Sequence, residues 1–99
     1  MSPIPEGWGL RFRPHAIRRM FERGLTPIDV RGALETAETI TDYPDDLPYP
    51  SRLVLGWSGD TPLHVVVATD TTDRKLIIIT VYVPNADEWG SDLRTRRPR

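Results

Sequence analysis

The sequence predicts an α+β domain in which an N-terminal αα-hairpin packs on one face of a four-stranded antiparallel β-sheet, in the order ααββββ. Apolar residues recur with the 3.6-residue period of a helix from residue 14 to residue 37, and with the two-residue period of a strand after that. Glycine and proline stand where the period breaks. Strand segments joined by short turns are typical of an antiparallel meander with the helices on one face.

Two short helices are predicted at the N-terminal side of this domain. Pro14 is suited to the first position of a helix, and Gly24 to the left-handed position that ends one. Thr26 can cap the second helix, with Asp29 three residues later in a near capping box. The stripes expected to be buried are Ala16, Ile17, Met20 and Phe21 in the first helix, and Val30, Ala33, Leu34 and Ala37 in the second.

Four strands are predicted to follow, at residues 38–43, 52–57, 63–69 and 76–83. An acidic, proline-rich loop separates the first two, because its prolines cannot lie in a central strand. The chain is thus divided into an irregular segment at 1–13, a single domain at 14–89 and a basic, flexible tail at 90–99.

Composition limits the classes of function. The 99 residues include no cysteine, which excludes disulfides and thiolate metal sites. Two histidines without cysteines do not complete a metal ligand set, so neither a metal nor another cofactor is expected. No apolar run approaches the ~20 residues that span a bilayer, and no signal peptide is recognised. We therefore expect a cytoplasmic protein that does not bind membranes.

Charge is unevenly distributed, although the net charge is only −1. Residues 11–31 hold six arginines and two carboxylates, whereas residues 32–70 hold one arginine and seven carboxylates. The last seven residues add four arginines and no acid. This polarity suits an anionic ligand at one pole and a basic partner at the other.

The first predicted helix carries a polar face that suits phosphate. His15 can move protons near neutral pH, and the guanidinium groups of arginine are planar forks that match phosphate oxygens. Arg18, Arg19 and Arg23 are therefore candidate contacts to a nucleic-acid backbone. The alternative is a solvated helix face that is simply basic.

Strand parity places a second group of polar side chains together. Turns at 58–62 and 70–74 would pair Trp57 with Leu63 and Thr69 with Lys75, which puts His64 opposite Thr80. The face away from the helices would then carry Arg52, Val54, His64, Val66, Ile78, Thr80 and Tyr82. The face covered by the helices would carry Leu53, Leu55, Trp57, Val65, Val67, Ile77, Ile79 and Val81.

These residue types fit phosphodiester cleavage without a metal. The reaction needs a base for the ribose 2′-hydroxyl, an acid for the 5′-oxygen and cations for the phosphorane, and it selects RNA as substrate. We predict that His64 is acid or base, Tyr82 assists proton transfer and Arg52 stabilises the phosphorane. The predicted catalytic set is His64, Tyr82, Arg52, Thr80 and His15.

Structural roles for the same residues remain open. His64 can be a half-buried ring satisfied by Thr80, and His15 can be a packing residue at the helix end. Arg52 can pair with Asp45 or Asp46 of the acidic loop.

Residues 14–89 also resemble a small bacterial family of uncharacterised domains. The resemblance is carried by His15-Ala16, Arg19-Met20, Arg23-Gly24, Leu63-His64-Val65-Val66 and Thr80-Val81-Tyr82. That family is similar to RelE/ParE-like toxins and often lies beside a zinc-finger antitoxin of the kind that partners MqsR-type mRNA interferases. The resemblance implies a RelE-like ααββββ fold and an RNA-cleaving toxin of a type II toxin–antitoxin pair. It also implies a cognate antitoxin of zinc-finger or helix-turn-helix type. The matching polar positions are His15, Arg19, Arg23, Arg52, His64, Thr80 and Tyr82.

The chain departs from RelE-type toxins in two respects. It is slightly acidic where they are strongly basic, and its first helix carries arginines and Glu22 where theirs is rich in lysine. These departures leave ribosome dependence open, and the sequence does not determine the oligomeric state. The alternatives to a nuclease are a ParE-like module that binds and blocks an enzyme, and a structural or immunity-like protein.

Overall fold

The computed structural model describes residues 4–98 of the chain. Residues 1–3 of the predicted N-terminal segment and residue 99 of the predicted tail lie outside the described residues. Two helices and five strands follow one another as β1 (Gly9–Phe12), α1 (Pro14–Arg23), α2 (Pro27–Glu35), β2 (Glu38–Tyr43), β3 (Ser51–Ser58), β4 (Thr61–Asp70) and β5 (Lys75–Tyr82).

The sheet has five strands and is mixed, so the predicted four-stranded antiparallel sheet is wrong. The strand order is β1-β5-β4-β3-β2, and β1 runs parallel to β5 from the pair Gly9–Lys75 to the pair Phe12–Ile78. Residues 1–13 were predicted to be irregular, because four residues among prolines and glycines carry no strand pattern of their own. The open edge of β5 supplies the hydrogen bonds that make this segment a strand.

The helix ends agree with their local signals. Gly24 adopts the left-handed conformation with φ 68°, and the Leu25 amide donates to the Met20 carbonyl at 2.8 Å. The Thr26 hydroxyl accepts from the Asp29 amide while the Asp29 carboxylate accepts from the Thr26 amide, which completes the capping box. The two predicted helices and the short turn between them are confirmed, and each helix packs on the sheet.

The core lies between the two helices and one face of the sheet. Its buried members include Ala16, Met20, Val30, Ala33 and Leu34 from the helices, and Val54, Leu63, Val65, Val67, Leu76, Ile78 and Val81 from the strands. The predicted stripe of α1 is only half right, because Ile17 and Phe21 are exposed. Helix α1 rests on the sheet along a narrower line than its apolar residues span.

Strand β3 is shifted by one residue from the predicted register. Trp57 pairs with Pro62 instead of Leu63, because β3 and β4 extend to Ser58 and Thr61 and leave a two-residue turn with Gly59 at φ 59°. A one-residue shift turns every side chain of a strand to the other face. The residues of β3 predicted to face the helices lie on the far face, and those predicted to lie away from the helices, Arg52 and Val54, lie on the helix side.

Strand β5 keeps part of its predicted parity through a bulge. The register between β4 and β5 changes between Val66 and Val67, so His64 pairs with Tyr82 and Val66 pairs with Thr80. His64 was predicted to lie opposite Thr80, but the shift of two residues keeps His64, Thr80 and Tyr82 on the far face. Before the bulge the parity is reversed, which places Ile78 on the helix side and Ile77 on the far face.

The far face is covered by the C-terminal segment (residues 84–98), although the sequence predicted a flexible tail from residue 90. Trp89 is buried and bridges to Arg96, and the Gly90 amide donates to the Thr95 carbonyl at 2.8 Å. The Arg94 guanidinium pairs with Glu38 of β2. Neither of the helices in residues 4–98 is long and apolar enough to cross a membrane.

Candidate functional site

His64 and Tyr82 form a hydrogen-bonded pair on the far face of the sheet. His64 Nδ1 lies 3.1 Å from Tyr82 Oη, and His64 Nε2 lies 2.7 Å from the carbonyl oxygen of Leu93. A carbonyl oxygen only accepts, so Nε2 must carry the proton and donate. In the neutral ring Nδ1 then accepts the hydrogen bond that the Tyr82 hydroxyl donates. The Leu93 carbonyl therefore selects the tautomer that faces Tyr82.

The environment of this pair favours uncharged forms of both residues. His64 is fully buried, and the Trp89 ring meets its ring edge-on with centroids 4.5 Å apart. Burial lowers the pKa of His64, and the hydrogen bond to the Leu93 carbonyl opposes this in part. Burial also raises the pKa of Tyr82. At neutral pH the pair is a phenol that donates to a neutral imidazole.

The side chain of Tyr82 lines a cleft of about 350 Å³, which we call the arginine cleft. Helix α1 contributes two guanidinium groups, β5 contributes two hydroxyls and the C-terminal segment supplies one wall. The lining residues are Arg19, Arg23, Thr80, Tyr82, Val83, Asn85, Glu88, Trp89 and Arg96.

The short length of β1 explains how α1 reaches the far face. Helix α1 packs on β5 from the helix side of the sheet. Strand β1 pairs with β5 only as far as Ile78, so the remaining edge of β5 is not covered by β1. Arg19 and Arg23 lie along this edge and line the same cleft as Thr80 and Tyr82. The helix side and the far face therefore meet at the end of β5.

The cleft contains a mixed set of charges. The Arg19 guanidinium lies 3.6 Å from the Glu22 carboxylate, and the Arg96 guanidinium lies 3.5 Å from the Glu88 carboxylate. The guanidinium carbon of Arg96 also lies over the Trp89 ring, 5.6 Å from its centroid. Arg23 forms no ion pair with a carboxylate of residues 4–98. The pairs of Arg19 and Arg96 are half exposed, and such ion pairs are weak enough for an anionic ligand to replace. The arrangement suits a phosphate group.

The structure brings together five of the residues predicted for the site. Arg19, Arg23, Thr80 and Tyr82 line the arginine cleft, and His64 lies behind Tyr82. His64 was also considered as a ring satisfied by Thr80, but its partners are Tyr82 and Leu93.

Three predicted site residues lie elsewhere. Arg52 was expected beside His64, but the register of β3 puts it on the helix side, paired across the strands with Asp42 and Val67. His15 is exposed in the first turn of α1, and Arg18 is exposed on the outer side of that helix. Neither lines the arginine cleft.

Sequence reasoning missed the contribution of the C-terminal segment. Glu88 and Arg96 line the cleft, and the Leu93 carbonyl holds His64. Trp89 of the same segment is buried. An apolar pair, Trp89 and Leu93, in an otherwise polar stretch was the one signal that this segment packs on the domain. Within residues 4–98 no group of three histidine or carboxylate side chains is placed to hold a metal ion.

Residues 12–83 match the model of a family described as a domain of unknown function, DUF4258, and the chain belongs to that family. This agrees with the resemblance to a family of uncharacterised domains. No curated protein and no solved structure matches the chain.

Proposed function

We propose that this member of the DUF4258 family is a metal-independent endoribonuclease, the RelE-like toxin of a type II toxin–antitoxin pair, and that it cleaves RNA in the arginine cleft. One observation carries the proposal: Tyr82, hydrogen-bonded to His64, lines the same cleft as Arg19 and Arg23. This cleft thus offers a base for the 2′-hydroxyl and cations for the phosphorane, two of the requirements of phosphodiester cleavage, and water can supply the proton for the 5′-oxygen. RNA and a cognate antitoxin are the proposed partners.

The proposed reaction uses His64 and Tyr82 as a relay. Tyr82 Oη takes the proton of the ribose 2′-hydroxyl and passes its own proton to His64 Nδ1, which lies 3.1 Å away. The 2′-oxygen attacks phosphorus, the bond from phosphorus to the 5′-oxygen breaks, and the 5′-oxygen takes a proton from water. The hydroxide that this leaves takes back the proton of His64 through Tyr82, which restores both residues. The products are a 2′,3′-cyclic phosphate and a 5′-hydroxyl. The protonated imidazole keeps the Leu93 carbonyl as acceptor for Nε2, which stabilises its charge.

The arginines are proposed to act on the phosphate. Arg19 and Arg23 approach from α1 and stabilise the negative charge that develops on the phosphorane. The Thr80 hydroxyl is a further donor in the cleft. His15 and Arg18 lie outside the cleft, where they can contact the flanking RNA backbone. Arg52 has no part in this mechanism because it lies on the other side of the sheet.

The test is cleavage of a mixed RNA pool in EDTA, with and without ribosomes. We expect the wild type to produce cyclic phosphate ends on RNA and to leave a DNA pool intact. Tyr82→Phe should lower the rate by about 10²–10⁴-fold, the usual range for loss of a general acid or base. The double variant Arg19→Gln/Arg23→Gln should be inactive, and Arg31→Gln on the exposed side of α2 is the matched charge control. The proposal would be refuted by a wild type that cleaves no RNA, or by a Tyr82→Phe protein that cleaves RNA at the rate of the wild type.

A non-catalytic interaction module, as in ParE-like proteins, is the second candidate. It is favoured by the fact that both ring nitrogens of His64 already have partners within the fold. Growth arrest on expression separates the two functions. Arrest that disappears in Tyr82→Phe supports the nuclease, and arrest that survives in Tyr82→Phe, without RNA cleavage, supports the module.

A further inference from the structure

Exposed apolar side chains lie on the side of α1 turned away from the arginine cleft and on the adjoining start of α2. Three apolar side chains there face solvent: Phe21 is 88% exposed, Ile28 81% and Ile17 54%. Ile17 and Phe21 line a concave surface of about 310 Å³ between the end of β1, α1 and the start of α2. Ile28 lines an adjoining surface of about 220 Å³ that shares Phe12 and Pro27 with the first. We call the two together the apolar groove and define it by Phe12, Ile17, Met20, Phe21, Leu25, Pro27 and Ile28.

Exposure of this kind needs an explanation. Single apolar residues on a surface are ordinary, whereas contiguous ones mark interaction sites. Phe21 and Ile17 are one helical turn apart, and Ile28 continues the surface across the turn between the helices. With an aromatic side chain covering about 150–250 Å², the groove exposes on the order of 400 Å² of apolar area. The largest apolar patch on a monomer is commonly of this size, and it is often an interaction site.

The charges around the groove are positive. Arg18 follows Ile17 on α1. Arg31 of α2 lines the same surface as Ile28 and Phe12. Neither forms an ion pair with a carboxylate of the described residues. The nearby carboxylates are occupied elsewhere: Glu22 pairs with Arg19 at 3.6 Å, and Asp29 bonds Thr26 and Ser58. An apolar surface with unpaired guanidinium groups at its rim selects an occupant with apolar and acidic residues.

We propose that the apolar groove binds an acidic amphipathic helical segment of a partner protein. Such a segment would place apolar side chains at i, i+3, i+4 and i+7 between Phe21 and Ile28, and carboxylates against Arg18 and Arg31. The area argues against a second copy of this chain, because a stable interface buries about 800 Å² on each partner. A two-fold contact would also bring the positively charged rims of two copies together. This inference is independent of the chemistry in the arginine cleft.

The probes are three capped 18-residue helical peptides with leucine at i, i+3, i+4 and i+7 and with glutamate, glutamine or lysine on the opposite face. Fluorescence anisotropy with the full chain measures the affinity for each peptide. The affinity should fall from the glutamate peptide to the glutamine peptide to the lysine peptide, with the glutamate peptide bound at least about tenfold more tightly than the lysine peptide. Phe21→Ser and Ile28→Ser should each weaken the glutamate peptide about tenfold or more, because each removes a large apolar contact. Leu47→Ser is the matched control, since Leu47 is 90% exposed in a different region.

Several results would overturn the proposal. One is the absence of binding by any of the three peptides, and another is equal binding of all three or binding that Phe21→Ser leaves unchanged. Sedimentation of the wild type with vesicles of 70% phosphatidylcholine and 30% phosphatidylglycerol, lost in Phe21→Ser, would assign the groove to a membrane surface. Concentration-dependent self-association that is lost in Phe21→Ser would assign it to a second copy. Both substituted residues are exposed, so thermal unfolding should show that the variants remain folded.

Discussion

The Tyr82 hydroxyl donates a hydrogen bond to His64 Nδ1 across 3.1 Å, from a neighbouring strand of the same sheet face. The direction of that bond is set by a third group, the carbonyl of Leu93, which takes the Nε2 proton. The buried His64 is thereby kept neutral, and the lone pair of its Nδ1 points to Tyr82. Tyr82 in turn lines the arginine cleft. The pair can accept a proton from the cleft without His64 itself being exposed.

Burial of His64 predicts a specific pH dependence of stability. Its pKa in the folded state lies below the ordinary 6.5, so the unfolded chain binds more protons in the window below pH 6.5. The free energy of unfolding should therefore fall as pH drops from 7.5 to 5.5, above the range in which carboxylates titrate. Urea unfolding of wild type and His64→Gln measures this, and the variant should show a shallower slope.

The matched control for that slope is His15→Gln, which removes an exposed histidine. It should keep the slope of the wild type. Equal slopes in wild type and His64→Gln would show that His64 does not carry the pH dependence.

The proposed RNA site predicts which arginine substitutions should weaken RNA binding. Binding of an RNA with 2′-O-methyl riboses, which cannot be cleaved, should weaken in Arg19→Gln and in Arg23→Gln, because both line the arginine cleft. Each loss of a phosphate contact should reduce the slope of log K against log salt by about 1. Arg52→Gln should change neither affinity nor slope, since Arg52 lies on the helix side of the sheet. A reduced slope in Arg52→Gln alone would contradict this assignment.

The packing of α2 on β3 predicts opposite effects at two glycines. A Cβ at Gly56 would overlap the backbone carbonyl of Ala33, which a side-chain rotation cannot relieve. Gly56→Ala should therefore lower the free energy of unfolding by about 1–3 kcal/mol or more. Gly32 in α2 has open space around it, and Gly32→Ala should raise the free energy by about 0.5–1 kcal/mol. Urea unfolding of both variants measures these changes in the free energy of unfolding. A Gly56→Ala protein as stable as wild type would show that α2 does not approach β3 so closely.

Hydrogen bonds to the Asp92 carboxylate stabilise the C-terminal segment, and they predict a low pKa for this group. Its carboxylate accepts from the Arg94 and Thr95 amides and the Thr95 hydroxyl, and these bonds lower its pKa to about 2. Its stabilising effect is present above pH 3.8 and is lost as pH falls towards 2. An NMR titration of the carboxyl carbon tests the pKa directly.

Removal of the same carboxylate should loosen the segment at neutral pH. In Asp92→Ala the Gly90 and Arg97 amides, which donate to Thr95 and Glu88 carbonyls, should exchange faster with solvent. The amides of β4 and β5 should keep their protection. Unchanged exchange at Gly90 and Arg97 would mean that Asp92 is not what holds the segment.

Local features of this protein were predictable from the sequence because their causes are local. The ends of both helices depend on Pro14, Gly24, Thr26 and Asp29, whose backbone preferences act within one turn. The four longer strands carry their own apolar periodicity and were found within a few residues. His64, Thr80 and Tyr82 were placed on one face correctly, although the predicted partner of His64 was two residues away.

Other features depended on contacts between distant segments. β1 exists because β5 offers an open edge, and four residues among prolines and glycines carry no strand pattern of their own. Arg52 changed faces because one turn is shorter than predicted, and a register shift of one residue is invisible in the composition of a strand. The C-terminal segment looked like a basic tail because its packing rests on Trp89 and on backbone carbonyls.

The sequence by itself determined the two helices with their short connecting turn, the apolar strands and the residue types of the candidate site. The helices and strands follow from periodicity and capping. Only the tertiary structure decided which of those residues meet. The end of β1 leaves the edge of β5 open to Arg19 and Arg23, and the C-terminal segment buries His64 and fixes its tautomer. Both results come from hydrogen bonds between segments far apart in the chain, and neither leaves a pattern in neighbouring residues.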